Sequence, residues 1–430
     1  MTSVNQEPTP TPPTESELIT TPDASADLLA NNLGDYFRIV ARRIRSGESG
    51  ALPVIMGLVV IVIIFQVKNS LFLSAGNLVN LMAQSSFIIT LGMAEVFVLL
   101  LGDIDLAAGF TAACAAVIAL WMLALGDPLW AAVLAAVAAS AAYGALQGIV
   151  IAKLKLPSFV VTLAGQLGLS GVLLYLISAT GNIGVGGVIN LHNSVINDIE
   201  SGYLTPTATW IVMIAIAALA GAAIFYGDLR RRTAGLVAPP VSVTMLKVAG
   251  IVIAAVVIAW VANINRGRLI VLEGLPWGVL VVLAILFIWT ILLGRTRFGR
   301  YLYAIGGNAE AARRAGISIV RIRTLAFMLC GLTAGITGII YASYLGSIST
   351  GVDGGQNVLY AIAAAVIGGT SLFGGRGKML HAVLGGLVVG VIYNGLELLG
   401  LSAAAQLMWT ALVLLAAVIV DRITRAGSAR

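Results

Sequence analysis

"AAVLAAVAASAAYGALQG", residues 131–148, contains no charged residue and only two strongly polar ones. A helix of about 20 apolar residues is long enough to cross roughly 30 Å of hydrocarbon. Comparable runs recur along the 430-residue chain, which is 59% hydrophobic and 10% charged, with a mean hydropathy of +1.00. Soluble domains are about 45–50% apolar and roughly a quarter charged. The composition therefore excludes a soluble protein and predicts an integral membrane protein.

Twelve candidate spans follow from the same criterion. The predicted fold is all-α, a polytopic membrane bundle of about 10–12 transmembrane helices. The tenth span, "NVLYAIAAAVIGG", is short for a full crossing and could be a half-helix or a re-entrant segment. The spans are 51–67, 82–101, 106–126, 129–152, 157–179, 207–226, 247–264, 275–293, 324–345, 357–369, 380–399 and 404–421.

The distribution of basic residues predicts the orientation of the bundle. If the N-terminus is cytoplasmic, all of the 25 Lys and Arg residues except Lys68, Arg266 and Arg268 fall in cytoplasmic segments. Cytoplasmic loops of membrane proteins carry an excess of Lys and Arg. Both termini are therefore predicted to be cytoplasmic, and the acidic loop 180–206 to be external.

Three regions are predicted along the chain. Residues 1–37 carry six acids, no Lys or Arg and a "TPTPPTE" run, which predicts a disordered acidic cytoplasmic tail. Residues 38–425 form the transmembrane domain, and residues 426–430 a short cytoplasmic tail. Within the domain, Gly331, Gly335 and Gly338 share one helix face, which favours close packing between helices of the bundle over a dedicated dimer seam.

Several chemistries find no support in the sequence. Cys114 and Cys330 lie in apolar runs and are interpreted as buried hydrophobes, and His192 and His381 stand far apart, so no metal site is predicted. The phosphate-binding pattern G-x-x-x-x-G-K-[ST] is absent, because "GGRGKML" lacks the required spacing and has Met379 in place of the hydroxyl residue. No catalytic residues are predicted, and the chain is not expected to be an enzyme.

The loop "RYLYAIGGNAEAARRAGISIVRIR", residues 300–323, concentrates charge between two apolar runs. Asn308 is a good helix N-cap, and Gly316 stands where a glycine would end a helix over 309–315. An acid in the first turn and two arginines in the last complement the helix dipole. Such a helix could enter a groove on another protein, or lie on the membrane with its arginines on lipid phosphates. The loop residues assigned to this element are Gly306, Gly307, Asn308, Glu310, Ala311, Ala312, Arg313, Arg314 and Gly316.

Acidic and amide groups inside the spans are the other candidates, because a charge at the centre of a membrane helix costs about 2.5–3.5 kcal/mol on insertion scales. Glu95, Asp103, Asp105, Asn394 and Glu397 are assigned to a possible substrate path or gate. For Asp105, helix capping at the start of the third span is the competing interpretation. "LLGDIDLAAG" and "VIGGTSLFGG" also resemble each other, a weak indication of an internal repeat.

Four stretches carry a resemblance to a known family. "GRYLYAIGGNAEAARRAGI" at 299–317, "GDIDLAAG" at 102–109, "LPSFVVTLAGQLGLSGVLL" at 156–174 and "AVIGGTSLFGGRG" at 365–377 are similar to sugar-type permeases of ATP-binding cassette importers. The similarity spans about residues 51–425. An additional hydrophobic pair around 207–264 is similar to the xylose permeases. The chain departs from the family signature at Ala107, where a Ser is usual.

The resemblance implies a mechanism and partners. The loop at 300–323 would contact a separate ATPase subunit that holds ATP and Mg²⁺, so this chain would bind no cofactor itself. An extracytoplasmic sugar-binding protein, a second permease copy and membrane lipid would be its other partners, and nucleic acid would not be one. The substrate would be a monosaccharide such as a xylose-like pentose, and the location the bacterial inner membrane. Two alternatives stay open: a permease for another small neutral solute, and an ion-coupled secondary transporter that uses Glu95.

Overall fold

The computed structural model describes residues 32–45, 52–179, 187–267, 271–402, 404–412 and 415. The helices are α1 Leu33–Arg45, α2 Leu52–Lys68, α3 Ala75–Leu99, α4 Ala108–Ala124, α5 Leu129–Leu154, α6 Ser158–Ala179, α7 Ser194–Ser201, α8 Pro206–Thr233, α9 Val241–Ala262, α10 Trp277–Arg295, α11 Arg297–Gly307, α12 Ala309–Arg314, α13 Ile319–Leu345, α14 Gly354–Ile367 and α15 Met379–Leu398; the strands are β1 Val188–Asn190 and β2 Ser347–Ser349. Residues 404–412 are also helical.

Eight of these helices are long and apolar enough to cross a membrane: α3, α5, α6, α8, α9, α10, α13 and α15. Three shorter apolar helices, over Pro53–Lys68, Ala108–Ala124 and Gly354–Ile367, accompany them. Each of the first eleven predicted spans thus coincides with a helix, and the prediction of a polytopic helical membrane protein is confirmed. The twelfth, 404–421, is described only at 404–412 and 415.

The second predicted span is longer than its apolar run. Helix α3 begins at Ala75, where the Ser74 hydroxyl accepts a hydrogen bond from the Asn77 backbone N–H at 3.4 Å. Its first turns carry Asn77, Asn80 and Gln84, whose polarity hides the start of the helix from a hydropathy criterion. The helix is continuous to Leu99, so this span is not broken.

Helix α1 begins at Leu33, within the segment 1–37 that the sequence predicts to be a disordered tail. Asp35 in its first turn pairs with Arg38 at 3.2 Å, an i, i+3 pair that supports a helix. Residues 1–31 lie outside the described part of the chain.

The chain divides into two compact units. Of the described residues, the smaller unit holds 32–45 and 210–259, which include most of α8 and α9, and these two helices together line a small apolar groove. The larger unit holds the described residues within 52–209 and 260–415 and contains every candidate site residue.

Helix α13 lies at the centre of the larger unit and packs most extensively against α5. The glycine face predicted from the sequence makes this packing possible. A methyl group on Gly331 would come within 2.3 Å of the Ser140 carbonyl oxygen, and one on Gly338 within 2.0 Å of the Ala112 carbonyl oxygen. These glycines therefore serve packing within the chain, against α5 and α4, as the sequence favoured.

One end of α13 is joined to a small substructure. Strand β2 follows α13 and pairs antiparallel with β1, with Ile189 opposite Ile348. Helix α7 comes next after β1 and is fixed to α13 by Ser343, whose hydroxyl accepts from the Glu200 backbone N–H at 3.0 Å and donates to the Asn197 carbonyl at 3.1 Å. The other end of α13 follows α12. Since α13 has 27 residues, the two ends lie about 40 Å apart.

Candidate functional site

Helix α12 forms where the sequence predicts it. The Asn308 side-chain oxygen accepts from the Ala311 backbone N–H at 2.9 Å. At the other end the Gly316 N–H bonds to Arg313 O and the Ile317 N–H to Ala312 O, both at 3.0 Å, which is the Schellman arrangement. Gly316 has φ +82°, a left-handed conformation that favours glycine. The helix ends at Arg314, one residue before the predicted end.

The surface of α12 is almost entirely exposed, and only Ala312 is buried. The Glu310 carboxylate pairs with Arg313 at 2.8 Å and with Arg314 at 3.0 Å, on the same helix. Hydrogen bonds from these two arginines lower the pKa of Glu310 to about 2, so its carboxylate stays ionised throughout the physiological range. The helix thus presents a small, ordered, charged surface with no partner from the described residues.

The element before α12 is held tightly to the bundle. Helix α11 buries Gly299, Leu302 and Ile305. The Tyr303 hydroxyl donates to the Gly377 carbonyl at 2.7 Å. A methyl group on Gly306 would lie 1.8 Å from the Leu100 carbonyl oxygen, so the two backbones are in direct contact. Gly306, two residues before Asn308, is therefore in backbone-to-backbone contact with the bundle, with no side chain between.

Gly306 contacts the turn after α3 and the turn after α14, and these two turns also contact each other. The Gly375 N–H donates to the Leu100 carbonyl at 2.9 Å, which joins the turn after α3 to the turn after α14. Gly102, at φ +78°, lies against the Phe373 backbone, where a methyl group would come within 3.2 Å of its carbonyl oxygen. The two stretches whose sequences resemble each other are thus neighbours in space. Whether they descend from a repeat stays a prediction.

Asp103 lies in the first of these turns and pairs with Arg323 in the first turns of α13, at 2.8 Å between Oδ2 and Nε. The side chain of Asp103 is 9% exposed and that of Arg323 is 24% exposed. Arg323 was not among the predicted site residues. An isolated buried carboxylate needs a compensating charge, and this pairing supplies it. The ion pair ties the start of α13 to the turn that contacts Gly306.

Asp105 is not the N-cap of the following helix, so that part of the capping interpretation is wrong. Helix α4 begins at Ala108 with Ala107 as its N-cap. The reason is that side chains of α6 hold the preceding backbone: Ser158 accepts from the Ile104 N–H at 3.3 Å, and Thr162 donates to the Ile104 carbonyl at 3.1 Å. The Asp105 carboxylate instead accepts from the Ala107 N–H at 3.0 Å, stabilising the turn before the helix.

Glu95 is fully buried in α3 and faces Asp105, which is 1% exposed. Cys330 of α13 places its sulfur 3.6 Å from Asp105 Oδ2. Both cysteines are free and buried, as the sequence predicts. Glu95 and Asp105 therefore form a buried carboxyl pair within the bundle, close to the turn that contains Asp103 and away from Asn394 and Glu397.

Asn394 and Glu397 come together with residues of α3 at the opposite end of the bundle. The Asn394 amide donates to Gln84 at 2.8 Å, and Gln84 donates to the Glu397 carboxylate at 2.6 Å. Asn77 donates to the Asn394 oxygen at 2.8 Å. Sequence reasoning missed Gln84 and Asn77. Their spacing of seven residues, which places both on one helix face of an apolar span, was the available signal.

Aromatic side chains lie beside this hydrogen-bonded network. Phe87 packs on Tyr341 and Tyr344 of α13, with ring centroids 4.7 and 6.0 Å apart. Tyr360 and Tyr393 form a second pair, at 6.2 Å. The arrangement places amide groups and the Glu397 carboxylate next to aromatic faces. Among the described residues no cluster of three or more His, Cys, Asp or Glu could hold a metal.

Comparison with known proteins places these features in context. The family described as branched-chain amino acid transport system / permease component matches residues 77–185 and 165–420. The chain is 33% identical over 362 residues to the xylose transport system permease protein XylH of Escherichia coli K12, covering 83% of this chain and 87% of the relative. It is 32% identical over 376 residues to the XylH protein of Haemophilus influenzae, with 85% and 94% coverage.

A second group of relatives is similar at nearly the same level. The ribose import permease protein RbsC of Escherichia coli K12 is 30% identical over 368 residues, which cover 85% of this chain and 92% of the relative. No solved structure matches the chain.

Proposed function

Because the chain belongs to the branched-chain amino acid transport system / permease component family, we propose that it is the membrane subunit of an ATP-driven importer that carries a monosaccharide inward. Family membership and the eight membrane-length helices make it a multi-pass permease of the bacterial inner membrane and not an enzyme. The proposal concerns the energy source, the substrate and the residues that couple them.

One observation carries the proposal: α12 is an exposed, doubly capped helix whose neighbour Gly306 lies in backbone contact with two turns of the bundle. A separate ATPase would grip α12, and its closure on ATP and Mg²⁺ would move α11 and both turns together. ATP and substrate must bind the inward and outward states with different affinity for such coupling to work. Asn308 and Gly316 would hold the helix ends, while its charged side chains would meet the partner.

A xylose-like pentose is the proposed substrate. The relatives named above include xylose and ribose permeases, and 30–33% identity spreads over more than four fifths of this chain. The amides of Gln84, Asn77 and Asn394 would bond to hydroxyl groups of the pentose, and Glu397 belongs to the same network. An external binding protein would deliver the sugar at the side of α7, and a second permease copy would complete the path.

Two experiments test the proposal, one for the coupling role of α12 and one for the energy source. The first is cross-linking to the ATPase with Ala311→Cys, since Ala311 is exposed on α12 and both native cysteines are buried. Val237→Cys, at a residue 69% exposed between α8 and α9, is the matched control. We expect a cross-link from Ala311→Cys only. Equal yields from both variants, or none from Ala311→Cys, would remove the coupling role from α12.

The second experiment separates the ATP-driven importer from an ion-coupled transporter. Vesicles containing the permease, the ATPase and the binding protein should accumulate labelled xylose only when ATP is supplied on the ATPase side. Glu95→Gln should leave that dependence on ATP in place. Accumulation driven by a proton or sodium gradient without the ATPase would establish the ion-coupled alternative instead.

A further inference from the structure

A cavity of about 310 Å³ lies at the end of α13 remote from α12. It is bounded by one face of α3, by α7 and the segment after it, by the segment before α10 and by the end of α13. The lining residues are Gly76, Val79, Asn80, Ala83, Glu200, Ser201, Tyr203, Arg266, Leu272, Ser343 and Tyr344. Ligand pockets range from about 300 to 1,000 Å³, so this one suits a small solute.

A buried carboxyl group forms the deep end of the cavity. Glu200 is 5% exposed, and neither of its carboxyl oxygens has a hydrogen-bond partner among the described residues. The face of α3 that lines the cavity continues one turn deeper at Ser86, which lies beside Glu200. The Ser86 hydroxyl gives its proton to the Met82 carbonyl at 2.9 Å, so towards Glu200 it can only accept.

The Glu200 carboxyl is also confined from the side. It lies over Gly278 in the first turn of α10, where a methyl group would come within 2.2 Å of Oε1. Burial raises the pKa of Glu200 to about 8. At neutral pH the group is thus mainly a neutral carboxylic acid, which can donate one hydrogen bond and accept others.

Arg266 is the single cationic side chain among the described lining residues, and backbone carbonyls hold it in place. The Arg266 guanidinium donates to the carbonyls of Ala262 and Gly274, the latter at 3.1 Å, and lies 4.9 Å from the centre of the Tyr203 ring. These bonds use two of its five N–H donors, and its positive charge disfavours a cationic ligand. The remaining polar groups are hydroxyl, amide and neutral carboxyl, and they stand next to the apolar and aromatic surfaces of Val79, Leu272 and Tyr344.

From this juxtaposition we infer that the cavity is a binding site, within the permease itself, for a small neutral polyhydroxylated solute. Hydroxyl groups of the solute would bond to Asn80, Ser201 and Glu200, and its C–H faces would pack on Tyr344 and Leu272. The inference rests on the proposed function for the identity of the solute, and it assigns the permease a sugar site separate from that of any binding protein.

The test uses the full-length permease in lipid nanodiscs, without ATPase or binding protein, and radiolabelled xylose as the probe. Gly76→Leu fills the cavity, because a side chain added at Gly76 meets no atom within 4 Å as it enters. Gly171→Leu on α6 is the matched control, since Gly171 has equally open space and does not line the cavity. We expect saturable binding that Gly76→Leu weakens at least tenfold and Gly171→Leu leaves unchanged.

Two polar variants sharpen the assignment. Asn80→Ala should weaken xylose binding, and Glu200→Gln, which keeps a donor and an acceptor, should preserve most of it at neutral pH. Absence of saturable binding in the wild type, or binding unchanged in both Gly76→Leu and Asn80→Ala, would overturn the inference. ATP-driven uptake by the complete transporter is measured separately and tests the proposed function. Either the inference or the proposed function can therefore fail without the other.

Discussion

Gly306→Ala is the smallest change that interrupts the contact between α11 and the bundle. The added methyl group would lie 1.8 Å from the Leu100 carbonyl oxygen and 2.5 Å from the Gly375 nitrogen, against ordinary contacts of 3.4–4 Å. Both neighbours are backbone atoms, so no side-chain rotation relieves the overlap. The helix and the two turns must separate by roughly 1.5 Å.

The cost follows from three contributions. Overpacking a close-packed site costs about 1–3 kcal/mol. Opening the 2.9 Å bond between Gly375 N and Leu100 O costs about 0.5–1.5 kcal/mol more. Replacing Gly by Ala in a helix stabilises the folded state by about 0.5–1 kcal/mol, which offsets part of this cost. The net destabilisation is therefore about 0.5–4 kcal/mol, concentrated where α12 joins the bundle.

The neighbouring residue supplies the control. A methyl group on Gly307 meets nothing within 4 Å, so Gly307→Ala carries the helix-propensity gain without the overlap. Gly306→Ala should lower the thermal unfolding temperature in nanodiscs and slow ATP-driven xylose uptake with the ATPase and binding protein. Gly307→Ala should leave both unchanged. Indistinguishable unfolding and uptake for the two variants would show that α11 is not rigidly joined to these turns.

Three further predictions concern other parts of the molecule. Gly316→Ala should cost about 1 kcal/mol through its left-handed backbone alone, since no atom obstructs a methyl group there, and Gly316→Asn should cost less; unfolding temperatures of both variants check this. Arg323→Gln should destabilise by about 1–3 kcal/mol, and the double variant with Asp103→Asn by less than the sum of the singles, measured as a double-mutant cycle. The raised pKa of Glu200 means that the folded state binds a proton that the unfolded state releases above pH 4.5. Stability should therefore fall as pH rises towards about 8, by up to about 1.4 kcal/mol per pH unit, and Glu200→Gln should flatten this dependence in unfolding scans between pH 5.5 and 9.

Helix α12 could be predicted from the sequence because its determinants are local. An N-cap, an acid in the first turn, arginines in the last turn and a glycine at the end act over three or four residues, and each does what its spacing indicates. The membrane bundle was predictable for a similar reason, since the length and apolarity of each span are properties of continuous segments.

The contacts of the site could not be predicted in the same way. Gly306 meets Leu100 and Gly375, residues separated by long stretches of chain, and only the folded bundle brings them together. The start of α4 depends on hydrogen bonds from α6 to Ile104, which override the capping preference of Asp105. Glu200 gave no signal in sequence, where one acid in an external loop suggests exposure rather than burial.

Helix α13 extends from the turn that Gly306 contacts to the cavity at the other end of the larger unit. Arg323, near its start, is tied to the turn that Gly306 contacts, and Ser343, near its end, holds α7 against the cavity. Between them, Gly331 and Gly338 place the helix in backbone contact with α5 and α4. Such contacts leave no side chain to absorb a displacement, so the helix can shift only together with its neighbours.

This geometry makes the coupling testable at a third place. Gly338→Ala would push α13 away from the Ala112 carbonyl, because an added methyl group would lie 2.0 Å from that oxygen. Gly338 is about 28 Å along α13 from its start near α12, and between one and two turns before Ser343 at the cavity. If α13 links ATP-driven motion of α12 to the cavity, this variant should bind xylose and cross-link the ATPase from position 311, and yet transport slowly. Normal transport by a stably folded Gly338→Ala permease would mean that the signal reaches the cavity through another helix, such as α3, which extends from the turn containing Leu100 to the cavity wall.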